Sequence, residues 1–411
     1  MRTGTSPIYF GWFVLAASAI SELLVQGATL YSAGLFILPL QTEFHISRAA
    51  ASSAGPILFL GVVFMAPLVG RLLDRLPVRQ VMVWCALVLA ASMAVIAFSH
   101  SLLVMSLILL LPMAAVFMGL GQLNTTTLAS RWFYRRRGLA LGIAAVATSG
   151  GGLVAPVLAV MIQQHGWRQA LLYEGLVTAA VIIVLTLVAI RGWPAERGLA
   201  DHRENQGRPA AGASGGVPAL PWKDFLFSRA FWVPVLTLAA ISGTSQSLVV
   251  TLVPYGVQSG QSPASAAFAV SMFAIAAAIT KIGAGVLADW MNKRYLLIAA
   301  ALSMTLAWLI LVLPPSQPVL LASAALGGIG LGCALPIAAG LIAASFGAPH
   351  FAQVFSWGFT LTAIIAIAGV RFAGAVFDRT GSYVLSFECF AGLLALVLAM
   401  TLLVSPQRAA A

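Results

Sequence analysis

Twelve separate stretches of mainly apolar residues, each long enough to cross a bilayer, run through this 411-residue chain. A spanning helix needs about 20 such residues at about 1.5 Å each. Windows of that kind fall at 9–38, 49–72, 79–98, 101–128, 138–163 and 169–190, and again at 229–257, 264–288, 294–313, 317–344, 351–376 and 383–405. A surface turned to lipid explains why only 8% of the residues are charged, against about 25% in a soluble domain. The expected fold is all-α, with two six-helix bundles, 1–190 and 229–411, joined by 191–228. That joining segment carries Arg191, Glu196, Arg197, Asp201, Arg203, Glu204 and Arg208 beside AAGASGGVPA, the composition of a solvated linker. The first apolar run is too long for a secretion signal and lacks a clear small-residue cleavage site, so it reads as the first span.

A net charge of +11 would suit nucleic acid only if the basic residues gathered on one soluble face. They sit in short loops instead, so no nucleic-acid partner is expected. Of 22 Lys and Arg, 17 fall on the side shared by the two termini, three (Arg48, Arg168 and Arg379) on the other, and two inside spans. Positive charge is retained in the cytoplasm, which predicts both termini cytoplasmic in a multi-pass protein of the cell membrane, read as a bacterial inner membrane. Cys85, Cys333 and Cys389 lie in apolar stretches without ligand spacing, and His45, His100, His165, His202 and His350 stand at span ends or in the linker. Neither set makes a metal centre or a nucleophilic cluster, so no cofactor and no enzymatic activity are expected.

The two sets of spans repeat at an offset of 215 positions. Gly70-Arg-Leu-Leu-Asp74 followed by Arg79 matches Gly285-Val-Leu-Ala-Asp289 followed by Arg294, Ser47 falls on Ser262, and Gly166 falls on Gly381. Internal repeats of this kind are how many transporters are built. These residues resemble the major facilitator superfamily over essentially the whole chain. Its loop motif after the second span is matched by GRLLDRLPVR, with Pro77 where a Gly is common. Arg131-Trp-Phe-Tyr-Arg-Arg-Arg-Gly-Leu-Ala-Leu-Gly142 looks like the join of the fourth and fifth spans in the monocarboxylate transporters and the oxalate/formate antiporter group, and Gly11-Trp12, Glu43-Phe44 and Gly166-Trp167-Arg168 agree. The resemblance implies that helices 1, 4, 7 and 10 line a central cavity. It also gives Gly70, Asp74, Arg75, Gly285 and Asp289 a conformational role: glycine lets helices approach closely, and Asp74 would pair with an arginine or face a helix N-terminus.

An ionisable group inside a span costs about 2.5–3.5 kcal/mol on insertion scales, which singles out Glu22, Lys281 and Arg371. Ser18, Glu22, Gln26 and Thr29 share one helical face, so Glu22 is a candidate proton carrier; the alternative is a permanently bonded glutamate that fixes helix packing. Glu174 and Glu388 stand within about two turns of an outer span end, where a side chain reaches water. Lys281 has a small-residue face of Ala274, Ala277, Ala278, Ala284 and Gly285. By resemblance it stands where monocarboxylate transporters carry the arginine that holds the substrate carboxylate, with a point charge in place of a planar fork. The usual aspartate one turn earlier is replaced by Ala277. Arg371, on a face with Thr360, Ala368, Gly374 and Ala375, resembles a second cation of the oxalate carriers. The bland alternative for both cations is an ion pair or snorkelling to the interface.

Neutral contacts would come from Gln122, Asn124, Thr125, Ser242, Ser245 and Gln246, and an apolar wall from Tyr31, Phe273 and Trp357. Gly327, Gly328, Gly330 and Gly332 before Pro336, and Gly150, Gly151 and Gly152, lack the strand and helix of a phosphate loop and read as packing and hinge sites. Two interior cations against one acid favour an anionic cargo. The leading expectation is a secondary transporter of a small organic anion, a monocarboxylate first, by alternating access. It would be coupled to a proton or a counter-anion and would work as a monomer in the bilayer. An exporter of amphipathic drugs and a non-transporting membrane sensor are the rival readings.

Overall fold

The computed structural model describes residues 9–46, 50, 53–148, 151, 154–199, 204, 220–221, 225–261 and 263–403. Ser47, Arg48, Gly150, Gly152, Ser262 and most of 191–228 lie outside the described residues, as do the side chains of Tyr31 and Pro156. Among the described residues eleven helices are long and apolar enough to cross a membrane, and the remaining predicted span is present as two shorter helices.

In chain order the helices are α1 Gly11–Gln26, α2 Ile37–Phe44, α3 Ala54–Arg75, α4 Val78–Phe98, α5 Leu102–Ile108, α6 Ala114–Leu120, α7 Gln122–Trp132, α8 Arg137–Ala147, α9 Ala155–His165 and α10 Trp167–Ala189. There follow α11 Arg229–Gln258, α12 Pro263–Trp290, α13 Lys293–Ile310, α14 Gln317–Phe346, α15 Phe351–Thr380 and α16 Val384–Leu403.

The first span departs from a single run. After α1 the chain widens into a π-turn, Gly27–Tyr31, then a 3-10 turn, Ala33–Phe36, before α2 resumes. Thr29 Oγ1 donates to the Val25 carbonyl at 2.7 Å, a back-bond of the kind that bends helices. The fourth span is likewise a π-turn, Leu109–Met113, between α5 and α6. Pro112 lies in it, and a proline without its N–H removes a helical bond and pushes the preceding turn apart. Gly121, at φ −90 and ψ −149, then separates α6 from α7.

The contacts divide the chain into two units: 1–61, 68–136 and 147–219 in the first, and 62–67, 137–146 and 220–411 in the second. In the first, α1 packs on α6, α7 and α10, and α4 pairs along its length with α10. In the second, α14 is central, flanked by α11, α12, α13 and α15. Glycine makes this possible on the α12 side, since a Cβ at Gly332 would lie 2.7 Å from the Ala277 carbonyl and 3.1 Å from the Lys281 nitrogen.

The 215-residue repeat is visible in three dimensions. Arg79 donates to the Leu187 carbonyl near the end of α10 at 3.0 Å, and Arg294 donates to Leu402 near the end of α16 at 2.6 Å and to Thr401 at 3.3 Å. Leu402 is the repeat partner of Leu187. Gly166 and Gly381, the matched glycines, precede the last span of each set with φ of +79 and +69, a conformation that glycine alone adopts without steric cost.

Candidate functional site

Polar residues converge in the first unit where α1 crosses α7. Ser18 Oγ donates back to Leu15, while its carbonyl accepts from Thr125 Oγ1 at 3.3 Å. Glu22 is fully buried and Gln26 nearly so on the same side of α1, as the spacing predicts, with Thr29 half-buried. Asn124, beside Thr125, is also fully buried, and its amide oxygen and nitrogen have no hydrogen-bond partner among the described residues. The break at Gly121 sits three residues before it. The structure thus brings Glu22, Gln26 and Asn124 into the interior of one unit.

In the second unit Phe273 and Lys281 both lie on α12, two turns apart and buried. The glycine face of α14 runs along them: a Cβ at Gly327 would lie 3.3 Å from the Phe273 ring. Gln246 on α11 is exposed, next to buried Ser245, whose hydroxyl donates to the Ser242 carbonyl. Arg371 on α15 is exposed, in a row with Ala368 and Ala375. Thr360 leaves that row, because it is buried and donates to the Val63 carbonyl at 3.3 Å. Trp357 is half-buried, with its indole nitrogen unpartnered among the described residues.

The two copies of the loop motif do different things. Gly70 is buried, and Asp74 Oδ1 accepts from Arg131 at 2.9 Å, with both side chains almost excluded from water. Arg131 also donates to the Leu73 carbonyl at 2.7 Å and lies 4.9 Å from the ring centre of Trp193. Arg75 is exposed and makes no hydrogen bond or ion pair among the described residues. Asp289, in contrast, accepts from two backbone N–H groups at the start of α8: Gly138 on Oδ1 at 2.6 Å and Leu139 on Oδ2 at 3.0 Å. These N–H groups have no partner within their own helix, and a carboxylate there is favoured by the helix dipole. Glycine sets the approach: a Cβ at Gly142 would lie 2.6 Å from the Lys281 carbonyl and 3.1 Å from the Gly285 Cα.

Two features escape the sequence reading. The start of 191–228, expected to be solvated, docks on the first unit. Trp132 Nε1 donates to Arg191, Arg136 N donates to Glu204, and Trp193 is buried. Its aromatic residue amid charges was the available signal. Glu174, expected to reach water, is buried instead, and neither carboxylate oxygen has a hydrogen-bond partner among the described residues. Its face of α10, with Ala170, Leu171, Gly175, Thr178 and Ala179, is buried, and face outweighs distance from the helix end. Glu388, at a similar depth in the last span, is exposed.

At the other end of the first unit Glu43, beyond the spans, accepts from Trp167 Nε1 at 2.7 Å and from Arg168 at 2.6 and 3.1 Å. The Arg168 hydrogen bond holds its carboxyl below the usual glutamate range, although partial desolvation opposes this.

Comparison with known proteins agrees with this architecture. The family model described as Major Facilitator Superfamily matches residues 19–260 and 238–411. Monocarboxylate transporter 11 of Mus musculus is 31% identical over 92% of this chain and 83% of its own length. Monocarboxylate transporter 12 of the same species is 25% identical over 92% and 82%. Among solved structures, the proton:xylose symporter XylE shares the fold at a TM-score of 0.73 and 14% identity, over 97% of this chain and 96% of that one. The chain is a multi-pass membrane transporter, not an enzyme, and it belongs to the major facilitator superfamily.

Proposed function

We propose that the cargo is a small organic anion, a monocarboxylate first, carried by alternating access with a proton or a counter-anion. The observation that carries this reading is Lys281, a cation buried in mid-span on α12, whose backbone packs on the glycine face of α14. An ionisable side chain at that depth marks a substrate or ion pathway, and a cation there suits an anionic cargo. The similarity to monocarboxylate transporters over most of both chains supports the same substrate class. In this reading Phe273, Gln246 and Arg371 are the further substrate residues of the second unit, and Gln26, Tyr31 and Asn124 are the candidates in the first. Glu22 binds and releases the coupled proton. Gly70, Asp74, Arg75, Gly285 and Asp289 set the conformational equilibrium. The transporter works as a monomer in a bacterial inner membrane, with both termini cytoplasmic because basic residues crowd that side.

The test is a thermal-shift screen of lactate, pyruvate and oxalate on the wild type and Lys281→Ala, paired with counterflow in proteoliposomes. A ligand at 100 times its Kd stabilises the folded form by about 2.7 kcal/mol, and Lys281→Ala should abolish that shift. Absence of exchange with every carboxylate overturns the reading; uptake of amphipathic cations in its place would favour drug export.

A further inference from the structure

Glu174 lies seven residues into α10, about 10 Å along the helix from Trp167. It is 6% exposed, and both carboxylate oxygens are sealed from water without a hydrogen-bond donor among the described residues. The elements packed against α10 are α4, α9 and α1. Their ionisable side chains within the spans are Arg79 and Cys85 on α4, His165 on α9 and Glu22 on α1, and none bonds to Glu174. Arg79 is engaged at the far end of α10 with the Leu187 carbonyl. His165 stands edge-on to Tyr173. On α10 itself Arg168 is taken by Glu43 and the Ala97 carbonyl. At the level of Glu174 the α4 neighbours are apolar or hydroxylic: a Cβ at Gly175 would touch Met93 and Ala90, and Ser92 between them is buried.

Among the described residues an ionised carboxylate in such a place would stand without a donor or a cation, sealed from water, which proteins avoid by neutralising the group. A neutral acid fits. Leucine or glutamine would also fill this place, and of the three only the acid can hold a proton and give it up when its surroundings change. We propose that Glu174 is a proton-binding site on the buried face of α10 in the first unit, distinct from Glu22 on α1, and that the transport cycle loads and unloads it. The step is the simple exchange of a carboxylic acid with carboxylate and a free proton. It rests on the reading of the protein as a proton-coupled carrier.

Two measurements separate the site from that reading. Infrared difference spectra of wild type against Glu174→Gln at neutral pH should show the carbonyl stretch of a neutral carboxylic acid missing from the variant, whether or not the protein transports a carboxylate. In the wild type that band should diminish after an alkaline pH jump. In proteoliposomes Glu174→Gln should retain lactate counterflow but accumulate less lactate, by about tenfold per unit of imposed pH gradient for one lost proton. A missing band, or a band insensitive to alkaline pH together with unchanged accumulation, overturns the proposal. If the wild type moves no carboxylate, the transport reading fails and the infrared arm alone decides the site: a responsive band supports it, an unresponsive one sinks it. Should Glu174→Gln not fold, Glu174→Asp replaces it, and a displaced carbonyl band that still titrates is the supporting result.

Discussion

Asp74 and Asp289 occupy the same place in the repeat and yet hold different partners. Asp74 is bound by a side chain, the Arg131 guanidinium, in a nearly dry pair. Asp289 is bound by backbone, the first N–H groups of α8. The difference traces to one position. The repeat partner of Arg131 is Phe346, so the second copy has no arginine at that place, and Lys293 and Arg137 act on Asp289 through space. Two copies of one motif thus carry unequal energetic risk, because breaking a buried ion pair removes the compensation of a charge, whereas losing a cap frees neutral N–H groups at a helix start.

The largest effect expected from that inequality is at Arg131. Arg131→Leu removes the ion-pair partner of buried Asp74, which costs about 3–5 kcal/mol, and Asp74→Asn in the same chain should recover much of it. Thermal unfolding of the two variants reads this directly; a double variant no more stable than the single would mean that Arg131 acts through Leu73 and Trp193 instead of through Asp74. Asp289→Ala should cost less, about 1–2 kcal/mol by analogy with the loss of a helix cap, and Asp289→Asn less again, since one acceptor remains. An Asp289→Ala loss equal to that of Arg131→Leu would break the comparison.

Where the repeat keeps its partners, the energies should match. Arg79 and Arg294 bind carbonyls at equivalent points near the ends of α10 and α16. Replacing either by alanine should cost a similar amount, about 0.5–1.5 kcal/mol. A clear disparity in chemical or thermal unfolding would show that shared geometry does not carry shared energy.

Much of this was legible in the chain itself. The apolar windows locate the spans to within a few residues, as with 79–98 against Val78–Phe98, because hydrocarbon admits few alternatives to a continuous helix. The repeat register holds down to Leu187 and Leu402. What was not legible depends on which way a helix faces once packed. Glu174 stands close enough to a helix end to reach water, but its side of α10 is buried. The choice between arginine and helix start for Asp74 was open in the sequence, although Phe346 opposite Arg131 would have narrowed it for Asp289. The π-turn after α1 left no signal stronger than Gly27 and Thr29, since local widening depends on tertiary packing. Arg371 and Gln246 are exposed while Lys281 and Phe273 are buried, a division that composition alone does not encode.

The smallest effect tests the comparison at the opposite ends of the units. Glu43 and its repeat partner Gln258 both tie the end of one span to the glycine turn that opens another: Glu43 accepts from Trp167 and Arg168, and Gln258 donates to the Gly381 carbonyl at 2.9 Å. Only the first tie can titrate. Because the Arg168 bond lowers the Glu43 carboxyl below its unfolded value, its contribution is fully present above the ordinary glutamate range. That contribution is lost as pH falls through the lowered folded value. The pair is partly exposed, so Glu43→Gln should cost only about 0.2–1 kcal/mol near neutral pH, and its deficit against wild type should shrink on acidification. Gln258→Ala should show a deficit that does not change with pH over the same range. Unfolding curves of both variants at neutral and acidic pH check this, and a Glu43→Gln deficit that stays constant would mean that the tie is held by Trp167 and shape, with the charge of Glu43 playing no part.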